Sequence, residues 1–199
     1  MYGAGEFAKQ FNVSRETLEK FKLYETLLIK WQKKINLVAP STVKDIWLRH
    51  FADPAQIQDN LSIDDQIADI GAGAGFPGLV LAIFGFNVTL IESDQRKSMF
   101  LKTVMRALSL ENCTVMNQRI EDVDQKFDVV TARALAPLDK LFDLSYPLIN
   151  QGKLLFLKGA NWQDEIDQLK NYKYKMSAER SISSEDSTIL IFENVSRET

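Results

Sequence analysis

Cysteine and histidine are nearly absent: the 199 residues hold one of each, Cys113 and His50. One cysteine excludes an intrachain disulfide, which fits a reducing, cytoplasmic setting. One histidine and one cysteine, far apart, cannot supply a zinc site of the usual kind, so no metal is expected. Long apolar runs are also missing. The run after the glycine-rich turn, Leu79 to Phe84, falls far short of the roughly 18–20 residues that cross a bilayer. Met1 to Lys9 has no basic region followed by an apolar stretch, so no secretory leader is expected. Met1 to Gly5 reads either as an unstructured start or as a non-native remnant. No charge of one sign dominates. The formal net charge of −3 argues against a general nucleic-acid coat protein. Repeats and low-complexity linkers are lacking as well.

What is present is ordinary globular material, 45% hydrophobic and 26% charged, enough for one domain with some decoration. The charge is unevenly placed. Between Lys9 and His50 nine cations face four anions, a local +5 in an otherwise acidic chain. That is either a solvated helix face or a contact for a polyanion. Ser14 to about Lys34 is expected to form an amphipathic helix capped by Ser14, with Leu18, Phe21, Tyr24 and Leu28 at helical spacing. A second helix is expected after Pro40, with Ile46, His50 and Phe51 on one side, disturbed by Pro54. Beyond it, strands alternate with helices. Strands are expected at 66–70, 87–92, 113–116, 127–131 and 153–157, with a closing pair at 172–176 and 187–192. Helices are expected at 76–84, 95–110, 137–149 and 164–169. In the 95–110 helix, Met99, Phe100, Thr103, Val104 and Leu108 are assigned to the buried face. Cys113, in an apolar strand, is expected to be a buried structural thiol. The alternation predicts an α/β fold, a doubly wound and mostly parallel sheet (residues 61–199), carrying an N-terminal helical appendage (residues 1–60).

The chemistry-bearing feature is Asp69-Ile70-Gly71-Ala72-Gly73-Ala74-Gly75-Phe76. It follows the first strand, where doubly wound sheets bind ligands. Glycines there let the backbone turn tightly and let a ligand approach. Glu92 ends the second strand, 21 positions after Gly71, where an acid accepts hydrogen bonds from ribose hydroxyls. A dinucleotide site requires glycine at the sixth position of the motif, and here that position is Phe76. The observed G-x-G-x-G order resembles the S-adenosylmethionine methyltransferase version, with Gly71, Gly73 and Gly75 facing the amino-acid end of the cofactor. Asp69 is a candidate to orient this loop or the cofactor's ammonium. Ile120-Glu121-Asp122 follow the third strand, where such folds grip adenine. Arg133 follows the fourth, where methyl transfer would occur.

The ordered set of motifs resembles one family, the bacterial small-subunit ribosomal RNA guanine-N7 methyltransferases called RsmG or GidB. The resemblance rests on Trp31 with Asn36-Leu37, Arg49-His50 with Asp53, the turn extended into Phe76-Pro77-Gly78, Glu92-Ser93 with Lys97 and Phe100-Leu101, Arg119 to Glu121, Arg133-Ala134 with Ala136, and Lys158-Gly159. Pro54 and Ala132 stand where the family often has serine. The resemblance implies methylation of guanine N7 at position 527 of 16S ribosomal RNA, or of the small ribosomal subunit, by a cytoplasmic monomer using S-adenosylmethionine. It implies cofactor contacts at Gly71, Phe76, Ile120, Glu121 and Arg133.

N7 of guanine has a free lone pair and no proton to remove, so no general base is required. Catalysis is expected to come from positioning and electrostatics. Arg133, Asn36 and Lys158 are the expected positioning residues, and Arg49, His50 and Arg119 are candidates for RNA contact. Two other readings remain open at this level: an S-adenosylmethionine-dependent methyltransferase of another substrate, and a non-catalytic RNA-binding module.

Overall fold

A computed structural model describes residues 2–198. The chain begins with α1 (Ala4–Gln10) and α2 (Arg15–Gln32), the latter capped by the Ser14 side chain accepting from the Thr17 N–H. Residues 40–60 do not form a single helix. They run through a 3₁₀ turn (Pro40–Asp45), a π turn (Trp47–Ala52), the one-turn helix α3 (Asp53–Ala55) and a second 3₁₀ turn (Gln56–Asn60). Pro54 ends the π ladder, because it has no N–H to continue it.

Then come β1 (Gln66–Ile70), α4 (Gly78–Ile83), β2 (Asn87–Ile91), α5 (Gln95–Ala107), β3 (Cys113–Met116) and β4 (Phe127–Arg133). They are followed by α6 (Leu138–Ser145), β5 (Ile149–Lys158), α7 (Trp162–Ile166), β6 (Tyr172–Arg180) and β7 (Thr188–Arg197). The seven strands form one sheet in the order β3-β2-β1-β4-β5-β7-β6. β1 to β5 pair in parallel, while β7 runs antiparallel to both β5 and β6. The order reverses between β1 and β4, and that crevice is the ligand-binding position of this topology.

Each face of the sheet carries its own core. On one face Phe7, Phe21, Tyr24, Phe51 and Phe100 pack with Leu79, Ile67 and Leu90. On the other, Leu138, Leu141 and Phe142 pack with Ala68, Ile70, Phe156 and Phe192. Successive strand residues such as Ile67 and Ala68 feed opposite cores because side chains alternate along a strand. Residues from α1 to Phe51 belong to the first core, so the helical N-terminal region is packed on the sheet layer, with Phe7 and Phe21 rings 4.7 Å apart.

α1 is absent from the sequence reading, because only Phe7 of its seven residues is buried and one apolar residue sets no period. Met99 is exposed at 51%, contrary to its assignment to the buried face of α5, and Thr103 is only half-buried. Ser98 and Leu101 occupy that face with Phe100 and Val104. Cys113 is buried, and burial pushes its thiol up to about 12, which leaves it protonated and inert.

Candidate active site

The glycine turn leaves the C-terminal end of β1 and enters α4. Gly75 has φ +90°, and a Cβ added there would lie 2.4 Å from Leu79 Cδ1 and 2.8 Å from the Tyr24 hydroxyl. The turn is fastened from three directions. Tyr24, on α2, donates its hydroxyl to the Ala74 carbonyl at 2.5 Å. Asp69 accepts the Gly78 N–H at 2.8 Å through Oδ2. Glu92 accepts the Gly73 N–H at 2.8 Å through Oε2 and the Asp94 N–H at 2.7 Å through Oε1. Glu92 thus braces the turn, and each of its oxygens keeps a second lone pair.

Asp69 is fully buried, and its Oδ1 has no hydrogen-bond partner. Burial raises its carboxyl to about 7. An orphaned buried acceptor beneath a turn without side chains at Gly71 and Gly73 fits a ligand carrying an ammonium group. Leu135 lies on the opposite side of the turn: a Cβ on Gly71 would stand 2.5 Å from its Cδ1. The left-handed backbone at Ala134 (φ +53°) turns the chain between Arg133 and Leu135.

Phe76 is buried and does not project into solvent. Its ring is stacked between Tyr24 (5.4 Å, 25°) and His50 (5.1 Å, 21°), and the Arg133 guanidinium lies 4.9 Å from its centroid. Arg133, the last residue of β4, is held by two acceptors. Its Nη1 donates to the Arg49 carbonyl at 2.9 Å and its Nη2 to His50 Nδ1 at 2.7 Å. The Arg49 carbonyl is available because of the local sequence. In the π turn the Asp53 N–H bonds the Leu48 carbonyl, and the next N–H in register would be that of residue 54, a proline.

An arginine only donates, so His50 Nδ1 must be its unprotonated acceptor. Its Nε2 then donates to the Thr42 hydroxyl at 2.8 Å. Burial, then the Arg133 and Arg49 charges, lower the His50 pKa from 6.5 to about 3. Between those values the unfolded chain binds a proton at residue 50 that the native protein refuses. The His50 contribution to stability is therefore whole above about pH 6.5 and is lost as pH falls toward about 3. Asp69 acts in the opposite sense: its raised carboxyl favours the folded state fully below its ordinary 3.8, and that contribution is lost as pH rises through about 7. Comparing wild type with His50→Gln isolates the histidine. The gap in urea midpoint between them is expected to shrink as pH is lowered from about 7 to about 4. A gap that stays constant over that range would mean that His50 titrates freely.

Arg49, His50, Arg133 and Lys158 line one cavity of about 410 Å³ at the ends of β4 and β5. Asp53, in the sequence only part of a motif, is a further wall, and walls that no motif marks are Thr42 from the N-terminal region, Ser183 and Ser187 from the turn between β6 and β7, and Thr188 at the start of β7. Lys158 also pairs with Glu165 at 2.7 Å and donates to the Ala136 carbonyl at 3.1 Å, so it braces the loop that carries Leu135. Asn36 lies elsewhere, in a polar depression with Lys33, Lys34, Asp94, Arg96 and Lys97. Ile120 is half-buried in a 3₁₀ turn after β3, with Arg119 and Glu121 exposed beside it. Among the described residues no group of three or more His, Cys, Asp or Glu side chains could hold a metal ion, and no helix is long and apolar enough to cross a membrane.

Comparison with known proteins gives two independent results. In structure, the chain is similar to a ribosomal protein L11 methylase from Lactobacillus delbrueckii subsp. bulgaricus (TM-score 0.57, 19% identity, 73% of this chain and 77% of that one). It is also similar to M. jannaschii TYW2 solved in complex with AdoMet (TM-score 0.58, 14% identity, 83% and 80%). At these identities the likeness speaks for the fold, a Rossmann-like methyltransferase fold. In sequence, the chain is 45% identical to the ribosomal RNA small subunit methyltransferase G of Paramagnetospirillum magneticum, over 98% of this chain and 97% of that protein. The family profile GidB, described as rRNA small subunit methyltransferase G, matches residues 17–188. With a profile match over most of its length and a relative of this identity, the chain belongs to the rRNA small subunit methyltransferase G family.

Proposed function

We propose that this protein transfers a methyl group from S-adenosylmethionine to N7 of a guanine in 16S ribosomal RNA, at position 527 by family likeness. One juxtaposition supports the reading most. A ligand-ready glycine turn at the β1–β4 crevice adjoins, through Phe76 and Arg133, a basic cavity at the ends of β4 and β5. S-adenosylmethionine supplies a sulfonium-bound methyl group, and the N7 lone pair takes the methyl carbon while sulfur keeps the C–S electron pair. The chain's residues supply geometry. Gly71, Gly73, Gly75, Glu92, Ile120 and Glu121 are the proposed cofactor side, with Asp69 fixing the turn. Arg133 stands between the two sides, and Arg49 and Lys158 bring positive charge to the cavity. His50 has both ring nitrogens engaged and is no proton acceptor, which agrees with chemistry that needs none.

Residues 1–60 act as a helical appendage that completes the cavity of the methyltransferase domain, 61–199. The protein is read as a monomer. Ribosomal RNA as substrate places the enzyme in the cytoplasm. The test is methyl transfer to ribosomal RNA from a strain lacking the modification, as naked RNA and as assembled small subunits, mapped by chemical cleavage at 7-methylguanine. Cleavage at the one predicted guanine is expected. Methylation elsewhere would assign another substrate, and RNA binding without transfer would assign a binding module.

A further inference from the structure

The cavity contains one carboxylate, and the proposed substrate offers donors that would match it. If N7 faces the methyl donor, the Hoogsteen edge of the base is committed to the reaction. The protein can then tell guanine from adenine at O6 and along the opposite, Watson–Crick edge. There guanine presents two donors, N1–H and the N2 amino group, where adenine presents a bare N1 lone pair and a C–H. A pocket that reads those two donors needs an acceptor, and an unpaired charge against the wrong base gives the larger rejection.

Asp53 is the only Asp or Glu in the cavity wall. It is 7% exposed and held in one orientation. Its Oδ1 accepts from Gln56 Nε2 at 3.0 Å and from the Ser181 hydroxyl. Ser181 is itself fixed by the Ser183 N–H, which donates to its Oγ at 3.0 Å. Oδ2 has no hydrogen-bond donor on it, and its nearest cation is Arg133 Nη1 at 3.9 Å. One oxygen is saturated and one is open, beside the arginine that reaches toward the cofactor side. Resting on the reading of this protein as a guanine-N7 methyltransferase, we propose that Asp53 reads the target base, its open Oδ2 accepting from guanine N1–H and N2–H.

The same contact serves the chemistry. Methylation at N7 leaves the purine cationic and makes N1–H a stronger donor. A fixed carboxylate on that hydrogen is thus bound more tightly as the methyl group arrives, which is the condition for accelerating the step. Asp53 is a specificity-determining residue, and Ser181 and Gln56 position it.

The experiment uses the full chain, S-adenosylmethionine and two versions of one small-subunit RNA, with guanosine or inosine at the target. Inosine keeps N7, O6 and N1–H and lacks the N2 amino group. Wild type is expected to methylate the inosine RNA about tenfold more slowly, the worth of one charge-assisted hydrogen bond. Asp53→Asn retains an amide oxygen for Ser181 and Gln56 but puts an N–H donor where the open oxygen was. It is expected to lower kcat on the guanosine RNA about 100-fold. It should also abolish the inosine penalty (to about twofold or less) and leave S-adenosylmethionine affinity by calorimetry unchanged. The proposal is overturned if wild type does not distinguish the two RNAs, if Asp53→Asn keeps its kcat, or if the variant is slow yet still shows the full inosine penalty. The wild-type comparison needs no variant to fold. A wild type that transfers nothing to the guanosine RNA would sink the functional reading and this inference together, whereas wild-type transfer with an indifferent Asp53→Asn sinks the inference alone.

Discussion

Arg133→Ala is expected to lower the methyl-transfer rate by about 100- to 1000-fold, the scale seen when one preorganised donor is removed from a reaction centre. The guanidinium spans the two halves of the site. It lies over Phe76 of the glycine turn and is fixed to the Arg49 carbonyl and to His50. Removing it strips the cavity of its central cation and leaves the Arg49 carbonyl and His50 Nδ1 without a partner, which costs about 1–3 kcal/mol of stability. That loss is within what a domain of this size tolerates, so the rate should fall far more than the fraction folded. Arg133→Lys separates charge from geometry. A lysine keeps the cation but cannot hold both acceptors in one plane, so partial recovery is expected and full recovery is not. Steady-state rates alongside urea unfolding check both variants, and a fully active Arg133→Ala would remove the residue from the site.

Gly75→Ala is expected to destabilise the protein by about 3 kcal/mol and to abolish cofactor binding. The backbone at φ +90° penalises any side chain, and the new methyl would meet Leu79 at 2.4 Å and the Tyr24 hydroxyl at 2.8 Å. Tyr24 could retreat only by releasing the Ala74 carbonyl that it binds. Gly73→Ala is the informative partner. Its φ is +55°, but its nearest neighbour would be the Gly71 carbonyl at 3.6 Å, so only the backbone penalty of about 1 kcal/mol applies. The pair should differ by about 2 kcal/mol in denaturant unfolding. Equal effects would show that the crowding around Gly75 is relieved elsewhere.

These two sites also mark the limit of what the sequence makes legible. The glycine turn is readable because three glycines between a strand pattern and a helix pattern are a local signal, and Glu92 follows at a spacing set by one βαβ turn. The sheet is readable for the same reason, since its strands are short apolar runs bounded by polar residues. The base-side cavity is not local. Ser181 and Gln56 meet at a separation of 125 positions, and Tyr24 and Ala74 at a separation of 50. No periodicity encodes such contacts. Arg133 is legible from its place at the end of the fourth strand, Arg49, His50 and Lys158 only by resemblance, and the hydroxyl-bearing wall at Ser183, Ser187 and Thr188 by neither route. The helix expected after Pro40 is instead a series of 3₁₀ and π turns, because the apolar pattern of Ile46, His50 and Phe51 does not distinguish these from an α-helix.

The antiparallel hairpin at the edge of the sheet has a consequence for synthesis. Cavity walls come from residues 37–53, from the ends of β4 and β5 and from residues 183–188, while the glycine turn, Glu92 and the ends of β1 to β4 lie in the first two-thirds. A nascent chain can therefore form its parallel strands and glycine turn while the last strands are still within the ribosome. Asp53 gains its Ser181 partner only by a closure over 128 residues, which comes late because long loops close at an entropic cost. The glycine turn can thus be built before the hydroxyl-bearing wall of the neighbouring cavity.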